Sequence, residues 1–593
     1  MRKMGEKSQY DKFPEVAIAG GEQEAWQGWP QVVSALQAAL AARPGQKTVL
    51  VVECYHGVVQ RELLAKLLMP LRPAALFDAA EARRSPTEID ALIEADLTDD
   101  PVFGRISARE LADFFDPDKC LRLKQATAAV RRGLVVVVGT GAALMADGDL
   151  LIYADLARWE IQQRFRRGGL GNWGADNATA DLAARYKRAF FVDWRVLDRH
   201  KTPLLQRADF LLDTHQAGSP RLVSGAAFHA GLRQVARQPF RVVPFFDPGV
   251  WGGQWMKQQF DLDPAAANYA WCFDCVPEEN SLLMRFGDVR IEIPALDLVL
   301  LYPQALLGEA VYARFGAEFP IRFDLLDTVG GQNLSLQVHP TPPYIRQQFG
   351  MAYTQDESYY ILEAEPEASV CLGVKTGTQP DEMTAALAQA GQGLNAFDDR
   401  RFINHLPARR HDHFLIPAGT VHCAGAGSVV LEISATPYIF TFKLWDWGRL
   451  GLDGRPRPLH LHHGREVIDW QRDTAWVTRE LVNRVEPVAA GPGWQEERTG
   501  LHPSQFIETR RHWFSVPVLH HTEGRVNVLN LIEGEEAVVE SPSGHFAPFV
   551  VHFAETFIIP AAVGAYRIRP SGRSLGQRLG TLKAWVREEE TTC

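Results

Sequence analysis

Cysteine is scarce in this chain. Seven among 593 residues are too few and too scattered for a disulfide framework. Long apolar runs are missing as well. No stretch approaches the roughly 18 uninterrupted apolar residues of a membrane span, so none is expected. Nor is there an excess of positive charge. A formal net charge of −10 argues against a generally nucleic-acid-binding surface. The opening MRKMGEKSQYDKF carries positive charges with no apolar segment behind them, so it does not read as a secretory signal. These lacks make the cytoplasm the expected compartment and leave the oligomeric state open. The one CxxC, Cys272 and Cys275 in YAWCFDCVPEEN, has no second pair to complete a zinc ribbon, so its expected role is structural.

What is present is ordinary for a globular protein, with 46% hydrophobic and 23% charged residues. The length suits about three to five domains. KTVLVVEC (Lys47–Cys54) and GLVVVVGTGAALM (Gly133–Met145) begin as apolar runs of the buried parallel-strand type. RELLAKLLMPL and ARWEIQQRFRRG have helical spacing, and DLLIYADL reads as a further strand. Strands alternating with helices predict βαβ units, with any ligand beyond the carboxyl ends of the strands.

Two segments, LVVVVGTGAALMADGDLLIYADLARWEIQQRFRRGG and ARYKRAFFVDWRVLDRHKTPLLQRADFLLD, resemble the uridine kinase branch of P-loop kinases. The resemblance covers about residues 45–215 and implies a strand, an arginine-rich lid and a returning helix. The decisive loop departs from it. A P-loop needs glycines and a lysine around the phosphates. Here the first strand is followed by ECYHGVVQRELL, with Gly57 and no lysine; Arg61 is a poor substitute in a tight cradle. A domain that has lost phosphate binding is expected.

From about residue 241 short strands and Gly/Pro turns dominate. In HFLIPAGTVHCAGAGSVVLEIS a strand ends at Ile416, Pro417-Ala418-Gly419 turns, and His422 opens the next strand. HFAETFIIPAAVGAYRIRP repeats the strand–Ile-Pro-Ala–turn–strand pattern, with Gly564-Ala565-Tyr566 near the place of His422. Two copies predict two β-barrels or sandwiches in series, the second metal-free. In LSLQVHP the apolar Leu334, Leu336 and Val338 alternate with Ser335, Gln337 and His339, a pattern that ordinarily turns the polar set to water. Gln337, His339, Glu357 and His422 together offer an amide oxygen, two imidazoles and a carboxylate, a donor set suited to Zn2+ or another divalent first-row ion. Singly, each also reads as a surface polar residue or a satisfied buried histidine.

The order of PGVWGGQWMKQQF, FPIRFDLLDTVGGQNLSLQVHP, DESYYIL, FLIPAGTVHCAGAGSVVLEIS and TFKLWDWGRLGLDGRPRPLH resembles type I phosphomannose isomerase, a zinc-dependent cupin enzyme. That resemblance implies that Gln337, His339, Glu357 and His422 are the metal ligands, and that Ser335 and Glu432 stand at active-site positions. The cationic surroundings differ from the family's. Asp324 and Gln355 replace lysines, Lys443 replaces an arginine, and an aspartate four residues before it has no counterpart. Lys443, Arg449, Arg455 and Arg457 are the candidates to compensate.

The expected fold is therefore multidomain. An α/β parallel-sheet, P-loop-like domain (1–240) precedes all-β tandem cupin barrels: a metal-binding domain with a helical insertion (241–500) and a metal-free barrel (501–593). The expected activity is metal-dependent aldose–ketose isomerisation, mannose 6-phosphate to fructose 6-phosphate. Glu432 is its acid/base, Lys443 stabilises the enediolate or shuttles the proton, and Ser335, Arg449 and Arg457 bind substrate. The expected partner is a small sugar or sugar phosphate. A salt bridge to Asp446 is the competing role for Lys443. A metal cupin isomerase or epimerase acting on a different sugar, phosphorylated or not, and a non-catalytic sugar sensor, are the competing functions.

Overall fold

A computed structural model describes residues 7–43, 45–500 and 502–587; residues 1–6, the start of MRKMGEKSQYDKF, lie outside it. The chain is multidomain and rich in sheet. One compact unit comprises Glu15–Ala236 and Pro277–Pro303; Arg237–Val276 and Gln304 onward, with residues up to Pro14, form the other. Among the described residues no helix is long and apolar enough to cross a membrane.

The first unit, here the α/β unit, is built on a seven-stranded sheet. Its parallel part runs Ala75–Asp78, Gly133–Gly139, Lys47–Cys54, Leu150–Asp155, Phe210–Asp213 across the sheet. The centres of these strands are uniformly apolar because both sheet faces are covered. Leu50, Val52, Val136, Val138 and Ile152 pack with Val32 and Leu36 of the helix Trp29–Ala41. After Lys47–Cys54 the chain leaves toward one edge, and after Leu150–Asp155 toward the other. That reversal opens a crevice at the strand ends.

The second, β-rich unit contains two successive pairs of sheets. In the first pair a six-stranded sheet includes Ile321–Asp327, Ser428–Ala435, Glu357–Ala364 and His413–Ile416. Its partner has five strands, among them Leu336–Val338 between His422–Ala424 and Phe442–Trp445. Helices Pro380–Gly391, Leu461–Val467 and Thr474–Glu480 are inserted here. The second pair has six strands (from Val485–Gly491 to Leu579–Val586) facing four, and encloses its own apolar core around Phe514, Leu529, Phe557 and Ile568.

The repeated turn is present in both pairs. Strand His413–Ile416 leads through Gly419 (φ 88°) to His422–Ala424, and Thr556–Ile559 leads through Gly564 (φ 69°) to Ala565–Pro570. Only glycine takes such a conformation without steric cost. The Gly419 amide donates to the carbonyl of His339 (2.9 Å), which ties this turn to the end of the strand Leu336–Val338.

Candidate metal centre

Three elements of the first sheet pair bring the four donor residues together. Antiparallel pairing sets Gln337 opposite His422, and His339 follows two residues later on the same side of its strand. Glu357 begins the strand Glu357–Ala364, opposite Ile416 on one side and Ser434 on the other. The expected outward turn of the polar set does not occur. Ser335, Gln337 and His339 are all buried, because this strand is covered on both faces.

Glu357 Oε2 lies 3.1 Å from His339 Nε2, and Glu357 Oε1 lies 2.7 Å from His422 Nε2. The other ring nitrogens are already engaged. His422 Nδ1 meets the Thr420 carbonyl at 2.8 Å and His339 Nδ1 the Phe440 carbonyl at 3.3 Å. A carbonyl can only accept, so each Nδ1 carries the proton and each Nε2 presents a lone pair. Lone pairs of two imidazoles then converge on a carboxylate, all buried. Only a proton or a cation can stand between such groups. His339, Glu357 and His422 each offer an atom within 4.8 Å of the others and so can hold a metal ion. The Gln337 amide nitrogen is 3.2 Å from His422 Nε2, and the opposite rotamer presents its oxygen there instead. Burial alone pushes the Glu357 carboxyl up; when a proton stands in each gap, the positive charge on His339 and His422 outweighs burial and holds the group below the usual carboxylate range.

Glu432 lies on the same face of the sheet, opposite Tyr359 on one neighbour and Asp324 on the other. The Tyr359 ring packs 5.8 Å from that of His422. Burial, then Glu357 and Asp324, push the Glu432 carboxyl well above its ordinary value. Lys443 is opposite Gln337 on the other sheet and half-buried. Burial, then Arg457, draw its ammonium down to about 8. It forms no salt bridge with Asp446. That carboxylate is held by Arg457 (2.6 Å) and Arg449, and it accepts the Ser335 hydroxyl (2.9 Å). Arg457 also donates to Ser335 Oγ at 3.2 Å. Ser335, Arg449 and Arg457 thus form one cluster around Asp446, while Arg455 is exposed.

One contributor, Arg322, was not anticipated from the sequence, nor was the contact that Gln355 makes. Arg322 is buried on the strand face that carries Asp324 and pairs with it at 2.8 Å. The anionic replacement at 324 therefore arrives with its own cation. Gln355, in place of a lysine, donates its amide to Glu357 Oε2 at 3.1 Å. The signal for Arg322 was its i, i+2 spacing from Asp324; no periodicity marks Gln355.

A model for a domain of unknown function, DUF8485, matches residues 28–237. Mannose-6-phosphate isomerase ManA of Bacillus subtilis is 29% identical over 154 residues, 26% of this chain and 45% of that protein. Part of this chain is homologous to mannose-6-phosphate isomerases. The mannose-6-phosphate isomerase of Streptococcus mutans is 25% identical over 221 residues, 37% of this chain and 64% of that protein. The chain thus spans about half to two thirds of the length of these relatives. The crystal structure of the Bacillus subtilis mannose 6-phosphate isomerase aligns with 59% of this chain and 99% of its own, at a TM-score of 0.47 and 16% identity.

Proposed function

We propose that the β-rich unit is a metal-dependent cupin isomerase that interconverts an aldose and a ketose, with mannose 6-phosphate and fructose 6-phosphate as the first pair to test. The observation that carries this reading is the convergence of two lone-pair imidazole nitrogens on the buried Glu357 carboxylate. The partial homology to mannose-6-phosphate isomerases agrees with it. His339, Glu357, His422 and the Gln337 amide oxygen would hold Zn2+ or a similar ion. When bound, such an ion supplies Lewis-acid stabilisation of negative charge on the sugar oxygens.

Isomerisation moves one proton from C2 to C1 and one from the C2 hydroxyl to the C1 oxygen, with no net change in atoms. Glu432 is the group for the carbon-bound proton. Its carboxyl is buried on the face that carries Glu357, and its environment brings its affinity for a proton closer to that of a weak carbon acid in transit. Lys443, which has no salt bridge among the described residues, stabilises the developing enediolate. Ser335, set by Asp446, Arg449 and Arg457, orients a substrate hydroxyl.

A second reading, a different and unphosphorylated sugar, is favoured by one observation. Arg322, Arg449 and Arg457 are each already paired with an aspartate. A phosphate normally needs several cationic donors of its own. In the α/β unit we infer a kinase-like domain that has lost its phosphate site. The loop after Lys47–Cys54 holds Gly57, whose carbonyl accepts Arg164 Nη1 at 2.7 Å.

Metal analysis of the purified chain tests the first reading: about one divalent ion per chain is expected, falling to none in His339→Ala and His422→Ala. An empty wild-type protein that still turns over sugar phosphate would sink it. A coupled assay with mannose 6-phosphate, beside unphosphorylated mannose, separates the two substrates.

A further inference from the structure

The C-terminal pair of sheets holds an open cup of about 720 Å3 that the isomerase reading does not use. Its floor and mouth differ chemically. Along the strand Ile507–Phe514 the inward positions change from Phe514 to His512, Arg510 and Glu508. The paired strand Leu579–Val586 changes in step, from Leu579 to Thr581, Lys583 and Trp585. Leu529, opposite Lys583, belongs to the apolar core, so this face points inward. An interior that only needed filling would stay apolar along its length.

The charged groups on this wall are unevenly satisfied. Arg510 is bound to Glu496 (2.9 Å) and Glu508 (2.8 Å). Lys583 is 8% exposed and has no salt bridge among the described residues. Its ammonium rests 4.9 Å from the centre of the Trp585 ring. Burial draws that ammonium down to about 8. Beside it, the rings of His512 and His520 stand 4.6 Å apart. His512 Nε2 meets Glu496 at 3.2 Å, while His512 Nδ1 and His520 Nε2 are buried without a hydrogen-bond partner. His520 is kept in place by stacking on Tyr566 (5.2 Å between ring centres). A buried cation and two orphaned ring nitrogens at one cup carry a desolvation cost unless something binds there.

We propose that this cup is a second ligand site, for a sugar-sized metabolite bearing one compact anionic group, phosphate or carboxylate. The anion sits against Lys583 and His520 Nε2, while His512 Nδ1, left as an acceptor because Nε2 faces Glu496, takes a hydroxyl of the ligand. The Glu496–Arg510–Glu508 chain and Asn527 offer the donors and acceptors that hydroxyl groups need. The volume suits a small molecule and not a polymer. The site does not depend on the metal-centre reading, because none of its residues belongs to that cluster.

The test uses the full chain carrying His422→Ala, which removes the proposed metal site. Calorimetric titration with mannose 6-phosphate, gluconate and inorganic phosphate is expected to show binding by at least one probe. Comparing the probes tells a phosphate ligand from a carboxylate ligand. Adding Lys583→Met is expected to weaken that binding by about tenfold or more, the loss of a charge-assisted contact. The melting temperature should be unchanged or higher, since a buried charge is removed. His520→Leu, which keeps the packing against Tyr566, provides an independent readout with the same expected loss. The proposal is overturned if none of the three probes binds the His422→Ala chain, or if Lys583→Met and His520→Leu bind as tightly as their parent.

Discussion

Two regions of the molecule gather buried charge, and they treat it in opposite ways. At the strand ends of the α/β unit every such group found has a protein partner. Lys201 bridges Asp155 (2.7 Å) and Asp297 (2.6 Å), and Arg158 pairs with Asp198 and, at 3.5 Å, with Glu278. Arg164 is spent on the carbonyls of Gly57, Thr214 and His215, and Glu53 accepts the amides of Gly141 and Ala143. At the candidate metal centre, Glu357 faces two imidazole Nε2 atoms instead, and a proton or a metal ion has to stand between them. Buried charge closed on itself signals structure, and buried donors of one kind pointing at each other signal a ligand.

The largest expected effect breaks the second region. His422→Ala should abolish bound metal and lower isomerase turnover by about a thousandfold or more, measured by metal analysis alongside the coupled assay. Metal retained at the wild-type level would remove His422 from the ligand set. Next comes Glu432→Gln, expected to reduce kcat about a hundredfold to ten-thousandfold while metal content stays constant. Equal kcat would assign proton transfer elsewhere. In the α/β unit, Lys201→Met strands Asp155 and Asp297 without a cation, and should cost about 3–5 kcal/mol of stability by denaturant unfolding with no change in metal content. A neutral result there would mean that the network is not structural.

A smaller effect concerns His215 in the α/β unit. Its Nδ1 meets Asp213 at 2.9 Å and its Nε2 accepts the Ala157 amide at 2.7 Å, so the neutral imidazole uses both nitrogens. His215→Ala leaves Asp213 and that amide without this partner and should cost about 1–3 kcal/mol by denaturant unfolding; an unchanged midpoint would mean that the contact is not structural. The smallest expected signal is a titration of the chain with ATP and Mg2+, which should give no heat from the α/β unit; measurable affinity would reopen the kinase reading.

Much of this was legible in the sequence, for reasons that also mark the limit. Unbroken valine runs announce strands covered on both faces, and the Ile-Pro-Ala turns announce the two related sheet pairs. Period-two spacing tells which residues share a face, which is how Gln337 and His339 come out together. It does not tell what stands across the gap. Arg322 neutralising Asp324, Asp446 held by two arginines, and Lys583 above an apolar floor all depend on cross-strand register. That register is set by pairing between segments distant in the chain.

The placement of Glu53 has a consequence for any attempt to give the α/β unit a nucleotide. Its carboxylate already occupies backbone amides at Gly141 and Ala143, at 2.5 and 2.8 Å. A group attached to the chain competes at an effective concentration in the millimolar range or above. A diffusing phosphate would have to displace this resident anion before making its first contact there. Restoring a lysine to the loop alone would leave that rival in its seat.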